Sequence, residues 1–523
     1  MQLIKKEIRT NNHKAEKQVQ LTIDEDFNVP DTKQDIDKII TSRGQVVIDD
    51  TEPMVDRLRV RGHVSYRILY SVAKVEGELD AMEGSVPFEE MINVDDLLPS
   101  YDTGVSCEIE DLNITMIHSR KVEVKGLIQM KIDVTEQDVL EGAEGIENGD
   151  GIQCLYKKVP YTRTVADQRD VFRVREMVPI PQNKPNIRRM IWYCATLNDV
   201  ETKPLDNKID IRGELEVFLI YRAEEQMPIQ YLNLDIPFSG EVECMGSMEG
   251  MTADIGVNLG ETQLNVEPDE DGEERILNLE ANLELAIRIY QEEELDLLGD
   301  MFSTSACIQV ETEQFDYESL LTRNNAKTRI VERIKRKENQ AGILQVCYVE
   351  GTVKVDDIRT TEEGVVVDGA VEVRLLYIAE DDTRPMNSMT GYLPFTYLVE
   401  AKNLSPDTIF HITPTRQRQM CIRDRISSIM LGSDEVEIKA VVNLSIIAFA
   451  RRQCPVIVDM SVAEIDYEKM NQLAGIIGYM VQEGDTLWTI AKRYFTSIDS
   501  IRKVNQLERD ELSPGQKLVI VKG

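Results

Sequence analysis

Apolar and polar residues alternate in three similar stretches of the chain, and this period of two predicts strands with one buried face. The stretches are Leu58–Tyr70, Ile209–Tyr221 and Val365–Tyr377. Each has a glycine at the same apolar position and, 24 or 25 residues later, a Pro-Phe pair: Gly62 with Pro87-Phe88, Gly213 with Pro237-Phe238, and Gly369 with Pro394-Phe395. A glycine inside a strand predicts a bend, a bulge or the close approach of another strand. The shared spacing indicates a tandem array of one domain.

A second alternating strand closes each copy, and it carries a small residue at its third inward position. These strands are predicted at 122–132, 277–287 and 436–446, with Gly126, Ala281 and Ala440 as the small residues. We expect the two small sites of a copy to mark a close crossing of backbones in the core. Few segments between residues 30 and 460 have a helical period, so parallel strands with helical crossovers are not favoured. The predicted fold is mainly β, with three tandem antiparallel β-sandwich-like repeats.

Sequence landmarks place the domain boundaries. Val29-Pro30 and Ile180-Pro181 open the first two copies, whereas the third keeps only an aliphatic residue in register, Ile343. We predict an N-terminal arm at 1–28, repeats at 29–165, 170–320 and 325–466, and a last domain at 479–522.

Two segments inside the array need separate interpretations. A basic stretch at 416–425 has no counterpart in the other copies, and its string 419–424 resembles a translated sequencing-adapter remnant. We therefore predict an artefactual insert there. The acidic segment 269–274 invites a calcium interpretation, but the twelfth position of an EF-hand loop would fall on Asn278, where a glutamate is needed. A hairpin turn is the better prediction.

Charge and composition exclude several classes of protein. The net charge is −35 and the pI about 4.6, which argues against nucleic acid or an anionic lipid surface as partner. With 523 residues and 42% hydrophobic content, the chain can fill several cores. The first residues lack an apolar signal core and no window reaches 18 apolar residues, so we predict a cytoplasmic protein without a transmembrane segment.

No residue pattern indicates catalysis or a metal site. The eight cysteines are scattered singly, which predicts free structural thiols in a reducing compartment. The four histidines are not clustered, and neither a metalloprotease, serine-hydrolase nor phosphate-loop motif is present. The many carboxylates guarantee accidental pairs, so none is assigned an acid–base role. We predict a protein that is not an enzyme and that has no cofactor.

From Tyr479 onwards the composition changes to that of a small βααβ module. Asp485 or Thr486 is a natural N-cap, and Leu487, Ile490 and Ala491 fall on one helical face. Residues 479–523 carry a net charge of +1, so the rest of the chain carries −36. Trp488 lies one residue from the buried stripe, and core packing is its simplest role.

The module resembles a LysM domain. The resemblance rests on the Gly-Asp-Thr-Leu-Trp turn at 484–488, an Asn-x-Leu sequence ending the second helix, and a Pro-Gly-Gln-Lys-Leu entry to the last strand. Members of that family bind N-acetylglucosamine-containing glycans without catalysis. The resemblance implies a ligand-binding groove formed by Gly484, Asp485, Thr486, Leu487, Asn505, Leu507, Leu512, Ser513, Pro514 and Gly515.

Three sandwich-like copies followed by one LysM domain resemble the SPOCS (DUF3794)–LysM spore morphogenetic proteins of Clostridia, the SpoIVA-interacting protein L (SipL) type. This resemblance implies a non-enzymatic scaffold or adaptor in the mother-cell cytoplasm, at the forespore surface and in the spore coat. Its LysM domain would bind a SpoIVA-like coat ATPase, and its array would recruit other coat proteins.

The alternative is a protein of the cell wall or spore cortex that binds peptidoglycan or another N-acetylglucosamine glycan. A wall hydrolase is a third class, which the absent catalytic motifs disfavour. The sequence leaves open whether the LysM ligand is protein or glycan, which faces of the repeats bind partners, the oligomeric state and the arrangement of the repeats.

Overall fold

A computed structural model describes residues 2–147, 151–223, 228–338, 340–401, 408–414, 424–463 and 475–521 of the chain. The described chain is built almost entirely from antiparallel strands, with two short helices near its C-terminus. The predicted fold class, three antiparallel β-sandwich-like repeats followed by a βααβ domain, is confirmed.

Each repeat combines two sheets, and the first repeat shows the pattern. Its strands are β1 (Gln2–Asn28), β2 (Ile36–Met54), β3 (Arg57–Val72), β4 (Leu79–Asn93), β5 (Asp102–His118) and β6 (Lys121–Glu147). The inner sheet has the order β2-β3-β4 and the outer sheet the order β1-β6-β5. The outer strands β1 and β6 pair along their whole length, so the strand that opens the repeat is bonded to the strand that closes it.

The other two repeats follow the same order. The second contains β7 (Ile152–Pro179), β8 (Arg189–Leu205), β9 (Lys208–Arg222), β10 (Gln230–Glu243), β11 (Thr252–Pro268) and β12 (Glu274–Ser303). The third contains β13 (Cys307–Lys335), β14 (Ile343–Thr360), β15 (Gly364–Ala379), β16 (Met386–Glu400), β17 (Thr408–Pro414), β18 (Asp424–Met430) and β19 (Glu435–Ala463). Here β17 and β18 both pair with β19, in the place that β5 and β11 take in the other repeats.

The repeated glycine faces the phenylalanine of the Pro-Phe pair on the neighbouring strand. Hairpin register pairs Gly62 with Phe88, and the second and third repeats contain the same pair. A Cβ on Gly62 would lie 2.7 Å from the Phe88 ring, so the ring occupies the space that a side chain would need. The strand on the other side has a register shift beside the glycine in all three repeats. Of the predicted alternatives, a bulge is found beside the glycine on the neighbouring strand, and the backbone of that strand also approaches Gly62 and Gly369 closely.

The predicted close crossing of the two small sites is wrong. The atoms nearest to a Cβ at Gly62 belong to Val47 and Phe88, whereas those nearest to one at Gly126 belong to Leu112, Ile23 and Asp111. The Phe88 ring and the backbone carbonyl of Val47 on the neighbouring inner strand β2 fill the space beside Gly62, so the closing strand β6 does not.

The third repeat begins in register with the others although it lacks their proline. The backbone amide of Ile36 donates to Ser119, that of Ile187 to Glu274, and that of Ile343 to Ser433. These equivalent hydrogen bonds fix where each inner sheet starts relative to its outer sheet. They give the aliphatic residue at this position the same structural role in each copy.

The three inner sheets pack against one another around a common axis. Arg67 of the first repeat donates to the carbonyl of Tyr193 in the second, and Arg374 of the third donates to the carbonyl of Ser42 in the first. At the equivalent position of the second repeat, Phe218 stacks on Tyr348 of the third with ring centroids 4.7 Å apart. Three head-to-tail contacts thus close a ring within one chain.

Apolar side chains from all three repeats form a core at the axis. Its fully buried members include Leu69, Phe218 and Ile220, all on the middle strands β3 and β9. Each middle strand therefore buries one face in its own sandwich and the other at the axis. This explains why successive residues at the ends of these strands are buried. Such a pattern is otherwise typical of strands in parallel sheets, which are covered on both faces.

The long outer strand pairs continue beyond the sandwiches and form a stalk. We define the stalk as residues 2–13 with 135–147, 152–163 with 291–303, and 307–318 with 451–463. Alternate residues from all three pairs share one apolar cluster: Ile8, Val159, Tyr161, Leu295, Leu297, Phe315, Tyr317, Cys454 and Val456. We call the inner sheets, outer sheets and stalk together the body.

The acidic segment and the described cysteines have the predicted structures, whereas most of the basic segment lies outside the described residues. The segment 269–274 is the predicted hairpin turn between β11 and β12, and Asp269 accepts backbone hydrogen bonds from Asp271 and Glu273. The seven described cysteines are free thiols. Of the predicted insert, residues 416–423 lie outside the described residues and the last two begin β18, so the artefact hypothesis stays a prediction.

Candidate ligand-binding site

The C-terminal module is a compact βααβ unit. Its elements are β20 (Ile476–Met480), α1 (Leu487–Arg493), α2 (Ile498–Asn505) and β21 (Lys517–Val521), and the two strands pair antiparallel. Both helices lie against one face of the sheet and bury Leu487, Ile490, Ala491 and Ile501.

The loop before α1 is fixed by its own polar side chains. Thr486 is the N-cap of α1, and its Oγ1 accepts from the backbone amide of Thr489 at 3.1 Å, completing a capping box. Asp485 accepts from the Tyr479 hydroxyl at 2.6 Å and from the Gln482 amide at 2.8 Å. These contacts, the Tyr479 hydroxyl first, lower the pKa of Asp485. The Asp485 carboxylate is therefore already hydrogen-bonded within the module, and these hydrogen bonds fix the shape of the loop.

The loop before β21 lies beside the first loop. The Gly515 amide donates to the Val481 carbonyl at 2.8 Å, and the Val481 amide donates to the Gln516 carbonyl at 2.9 Å. Gln516 also closes the turn, because its side chain accepts from the Ser513 amide. These hydrogen bonds hold the two predicted groove loops side by side.

The structure brings together most of the predicted groove residues. Gly484, Thr486, Ser513, Pro514 and Gly515 are exposed, and Leu512 is half-buried. Gly484 and Gly515 have φ of +87° and +86°, and a Cβ on either would meet nothing within 4 Å. The two loops thus present backbone groups and short side chains to open space, which suits a ligand that approaches the backbone closely.

Three of the predicted residues have structural contacts instead of an exposed surface. Leu487 is 3% exposed and belongs to the core of the module, as the half-buried Leu507 does in part. Asn505 lies against β21, where its side-chain amide donates to the Val519 carbonyl and its Oδ1 accepts from the Val519 amide, both at 2.7 Å. Asn505 thereby satisfies the backbone amide and carbonyl of Val519 at the outer edge of that strand.

Trp488 joins the module to the body, which the sequence did not predict. Its indole Nε1 donates to Asp300 Oδ2 at 2.8 Å, and its ring packs edge-on against Phe302 with centroids 5.0 Å apart. Lys492, one turn further along α1, donates to both oxygens of Asp300 at 2.7 and 2.9 Å. Asp300 and Phe302 lie at the end of β12, the tip of the stalk. The prediction that Trp488 packs in the core of the module was therefore incomplete, because Asp300 and Phe302 of the stalk also contact it.

A cavity with a volume of about 640 Å³ lies between the three repeats. Charged residues line it. Three of those in the third repeat pair with one another, and two of the three also donate to backbone carbonyls of the first repeat. Glu372 contacts Lys354 at 2.8 Å and Arg374 at 3.1 Å, and Lys354 also donates to the Glu110 carbonyl. Burial would raise the pKa of Glu372, but its hydrogen bond from Lys354 and the charge of Arg374 outweigh this and lower the pKa. Lys354 and Arg374 also join the third repeat to the first, so we assign the cavity no ligand.

The comparison with protein-family models matches three segments to "SipL, SPOCS domain": residues 35–117, 186–267 and 342–417. A second model, "LysM domain", matches residues 479–521. The chain belongs to the SPOCS–LysM family of the SipL type. SPOCS and LysM are non-catalytic binding domains. In the first two repeats of this SPOCS–LysM protein, the matched segments cover the inner sheet and all but the last residue of β5 and β11. They do not cover the long pair of outer strands that forms the stalk.

Curated relatives resemble the chain only in its LysM region. "Probable endopeptidase p60" of Listeria monocytogenes is 49% identical over 41 residues, which is 8% of each chain. "Probable autolysin SsaALP" of Staphylococcus aureus is 43% identical over 42 residues, 8% of this chain and 16% of that protein. "Uncharacterized protein YkzQ" of Bacillus subtilis is 43% identical over 42 residues, 8% of this chain and 56% of its own length. The match therefore spans less than two thirds of each of these relatives. No solved structure is significantly similar to the chain.

Among the described residues, no helix combines the length and the hydrophobicity that a membrane span requires. In the same part of the chain, no group of histidine, cysteine, aspartate and glutamate side chains could hold a metal ion.

Proposed function

We propose that this protein is a non-enzymatic adaptor of spore coat assembly, acting in the mother-cell cytoplasm at the forespore surface. Its LysM domain binds a SpoIVA-like coat ATPase, and its three-repeat body recruits further coat proteins. The observation that carries the proposal is the division of surfaces on the LysM domain. One side of α1 is attached to the stalk through Trp488, while the loops around Thr486 and Pro514 remain exposed.

The body supports the recruiting half of the proposal through its charge. Residues 1–478, which contain the body, carry a net charge of −36, whereas residues 479–523 carry +1. A strongly acidic surface favours basic partners and increases the rate at which they meet it. The ring of inner sheets leaves the outer sheets of all three repeats at the periphery, where such partners would bind.

The test measures binding of purified full-length protein to a SpoIVA-like coat ATPase. The variant Thr486→Ser/Pro514→Ala keeps the capping oxygen of α1 but removes the methyl group and the ring that the two loops expose. We expect the dissociation constant to rise about tenfold, as when an interface contact of about 1.4 kcal/mol is lost. Glu508→Ala, an exposed change on the same domain outside the loops, is the matched control. Unchanged affinity of the double variant, or full affinity after deletion of residues 475–523, would refute the proposed role of the LysM loops.

The second candidate function is binding of peptidoglycan or another N-acetylglucosamine glycan. The similarity of the LysM region to proteins named endopeptidase and autolysin favours it. Backbone groups of the two loops could hydrogen-bond acetamido groups. Co-sedimentation with insoluble peptidoglycan, with the same double variant and control, distinguishes this function: loop-dependent sedimentation together with no affinity for the ATPase would favour the glycan.

A further inference from the structure

The contact between the module and the stalk tip is built around one carboxylate. Asp300 is the hydrogen-bond acceptor for both Trp488 and Lys492, and its side chain is 24% exposed. Charge-assisted hydrogen bonds of this kind are shorter and stronger than neutral ones. Without Asp300, the indole N–H would lose this acceptor, which is unfavourable for a group that is mostly buried.

An aromatic contact completes the attachment. Phe302 is 5% exposed and Trp488 is 8% exposed, and the two rings meet edge to face. Phe302 belongs to the body by sequence but packs within the core cluster of the module, together with Leu487 and Ile490. The module therefore takes one of its core side chains from the stalk.

From these contacts we infer that Asp300 and Phe302 form a socket that holds the LysM domain in one fixed orientation on the stalk. Trp488 and Lys492 are the positioning residues on the module side. The domain is thus a rigid head, and its groove loops have a set direction relative to the body instead of sampling many directions on a free tether.

A fixed head changes how a ligand can bind. A ligand that is part of an extended surface can reach the groove loops only in certain orientations of the body relative to that surface. The groove loops and the outer sheets therefore keep a constant angle to each other when they bind their partners. Preorganisation of this type reduces the orientational freedom that binding would otherwise remove. The inference concerns how the domain is held and does not depend on whether its ligand is protein or glycan.

The chain offers a direct optical test, because it has only two tryptophans, Trp192 and Trp488. Fluorescence of full-length protein is recorded in a Trp192→Phe background, where Trp488 is the sole emitter. We expect Asp300→Ala and Phe302→Ala each to shift the emission maximum to longer wavelength and to increase quenching by acrylamide several-fold. Asp296→Ala removes an exposed carboxylate from the same strand four residues earlier and should change neither. If Trp192→Phe fails to fold, the same differences are measured with Trp192, which is 2% exposed, as a constant background.

Small-angle scattering of the same variants gives a second readout. Release of the head should increase the radius of gyration of Asp300→Ala relative to Asp296→Ala, while circular dichroism of the body stays unchanged. If Asp300→Ala and Phe302→Ala retain the wild-type emission, quenching and radius, the socket does not hold the domain and the inference fails. A shift for Phe302→Ala alone would overturn the role of Asp300. If the wild-type protein has a docked LysM domain but binds neither the ATPase nor glycan, the proposed function is refuted. The inference about the socket is then unaffected.

Discussion

The body and the LysM domain differ in how many faces of their sheets are covered. In the body, the middle strand of each inner sheet is buried on both faces, and Leu69, Phe218 and Ile220 are fully buried at the axis. In the LysM domain, the helices cover one face of the sheet, while Ile476 and Met480 on the other face are 69% and 58% exposed. Each repeat of the body has a core of its own and shares a further core at the axis with its neighbours, whereas the LysM core is local except for Phe302.

The two regions also differ in the range of their contacts. Strands that pair in the body lie far apart in sequence, as β1 and β6 do, and the axis joins residues of all three repeats. The LysM domain closes within residues 476–521. We therefore expect the repeats to unfold together and the LysM domain to unfold separately.

The largest expected effect is that of Phe218→Ala at the axis. The side chain is fully buried and stacks on Tyr348, so truncation leaves a cavity that three repeats share. We expect a loss of about 3–5 kcal/mol in the free energy of unfolding of the body, measured by urea denaturation with circular dichroism. Tyr392→Ala, at a 62% exposed aromatic, should cost less than about 0.5 kcal/mol. If only the second repeat unfolds in Phe218→Ala, the repeats do not share their stability.

Ile490→Ala tests the other half of the comparison. Ile490 is fully buried in the LysM core, and its truncation should cost about 2–5 kcal/mol. A domain of this size has little stability in reserve, so we expect the LysM domain to unfold while the body keeps its urea midpoint. Hydrogen exchange resolved by peptide separates the two regions. Increased exchange throughout the inner sheets would show that the regions are coupled after all.

Glu372→Gln should have a smaller effect, centred on the third repeat, where Glu372 pairs with Lys354 and Arg374. Removing a charge from a buried pair costs about 3–5 kcal/mol, but Lys354 and Arg374 are each about a third exposed, so we expect about 2 kcal/mol. Because contacts lower the pKa of Glu372 below its usual 4.5, its stabilisation is present above that pH and is lost as the pH falls through the lowered pKa. The stability difference between the variant and wild type should therefore shrink in acid. A difference that does not depend on pH would contradict the ion-pair explanation.

The smallest expected effect is that of Thr486→Ala in the exposed loop. Loss of an N-cap oxygen costs about 1 kcal/mol, and the effect should be limited to the LysM domain. Thr486→Ser keeps the oxygen and should restore the stability, as judged by the hydrogen exchange of α1. Equal exchange in all three proteins would mean that the capping box seen at Thr486 does not stabilise the helix.

Much of the fold could be predicted because the decisive signals are local. The period of two identified the long strands, and the sequence between 484 and 517 carries the caps and turns of the LysM domain in order. The spacing between each glycine and Pro-Phe pair proved to be a hairpin register, and the shorter spacing in the second copy is absorbed in the loop between β9 and β10. The length of β1 was missed, because polar residues interrupt its alternation.

The candidate site was predicted less completely. Its exposed loops follow from the LysM motif, but the packing roles of Leu487 and Asn505 depend on which side of the helix or strand each residue faces. Asp300 and Phe302 could not be found at all, since one more aspartate among 94 acidic residues carries no sign of a partner that is about 190 positions away.

The sequence by itself determined the elements of this protein: strand periods, repeated landmarks, helix caps and the LysM turns, all of which depend on neighbours a few residues apart. Only the tertiary structure decided that three repeats close a ring, that their outer strands continue into a stalk, and that Trp488 docks on Asp300. Those features arise from surfaces formed by residues hundreds of positions apart. Their complementarity exists only once each chain segment has folded.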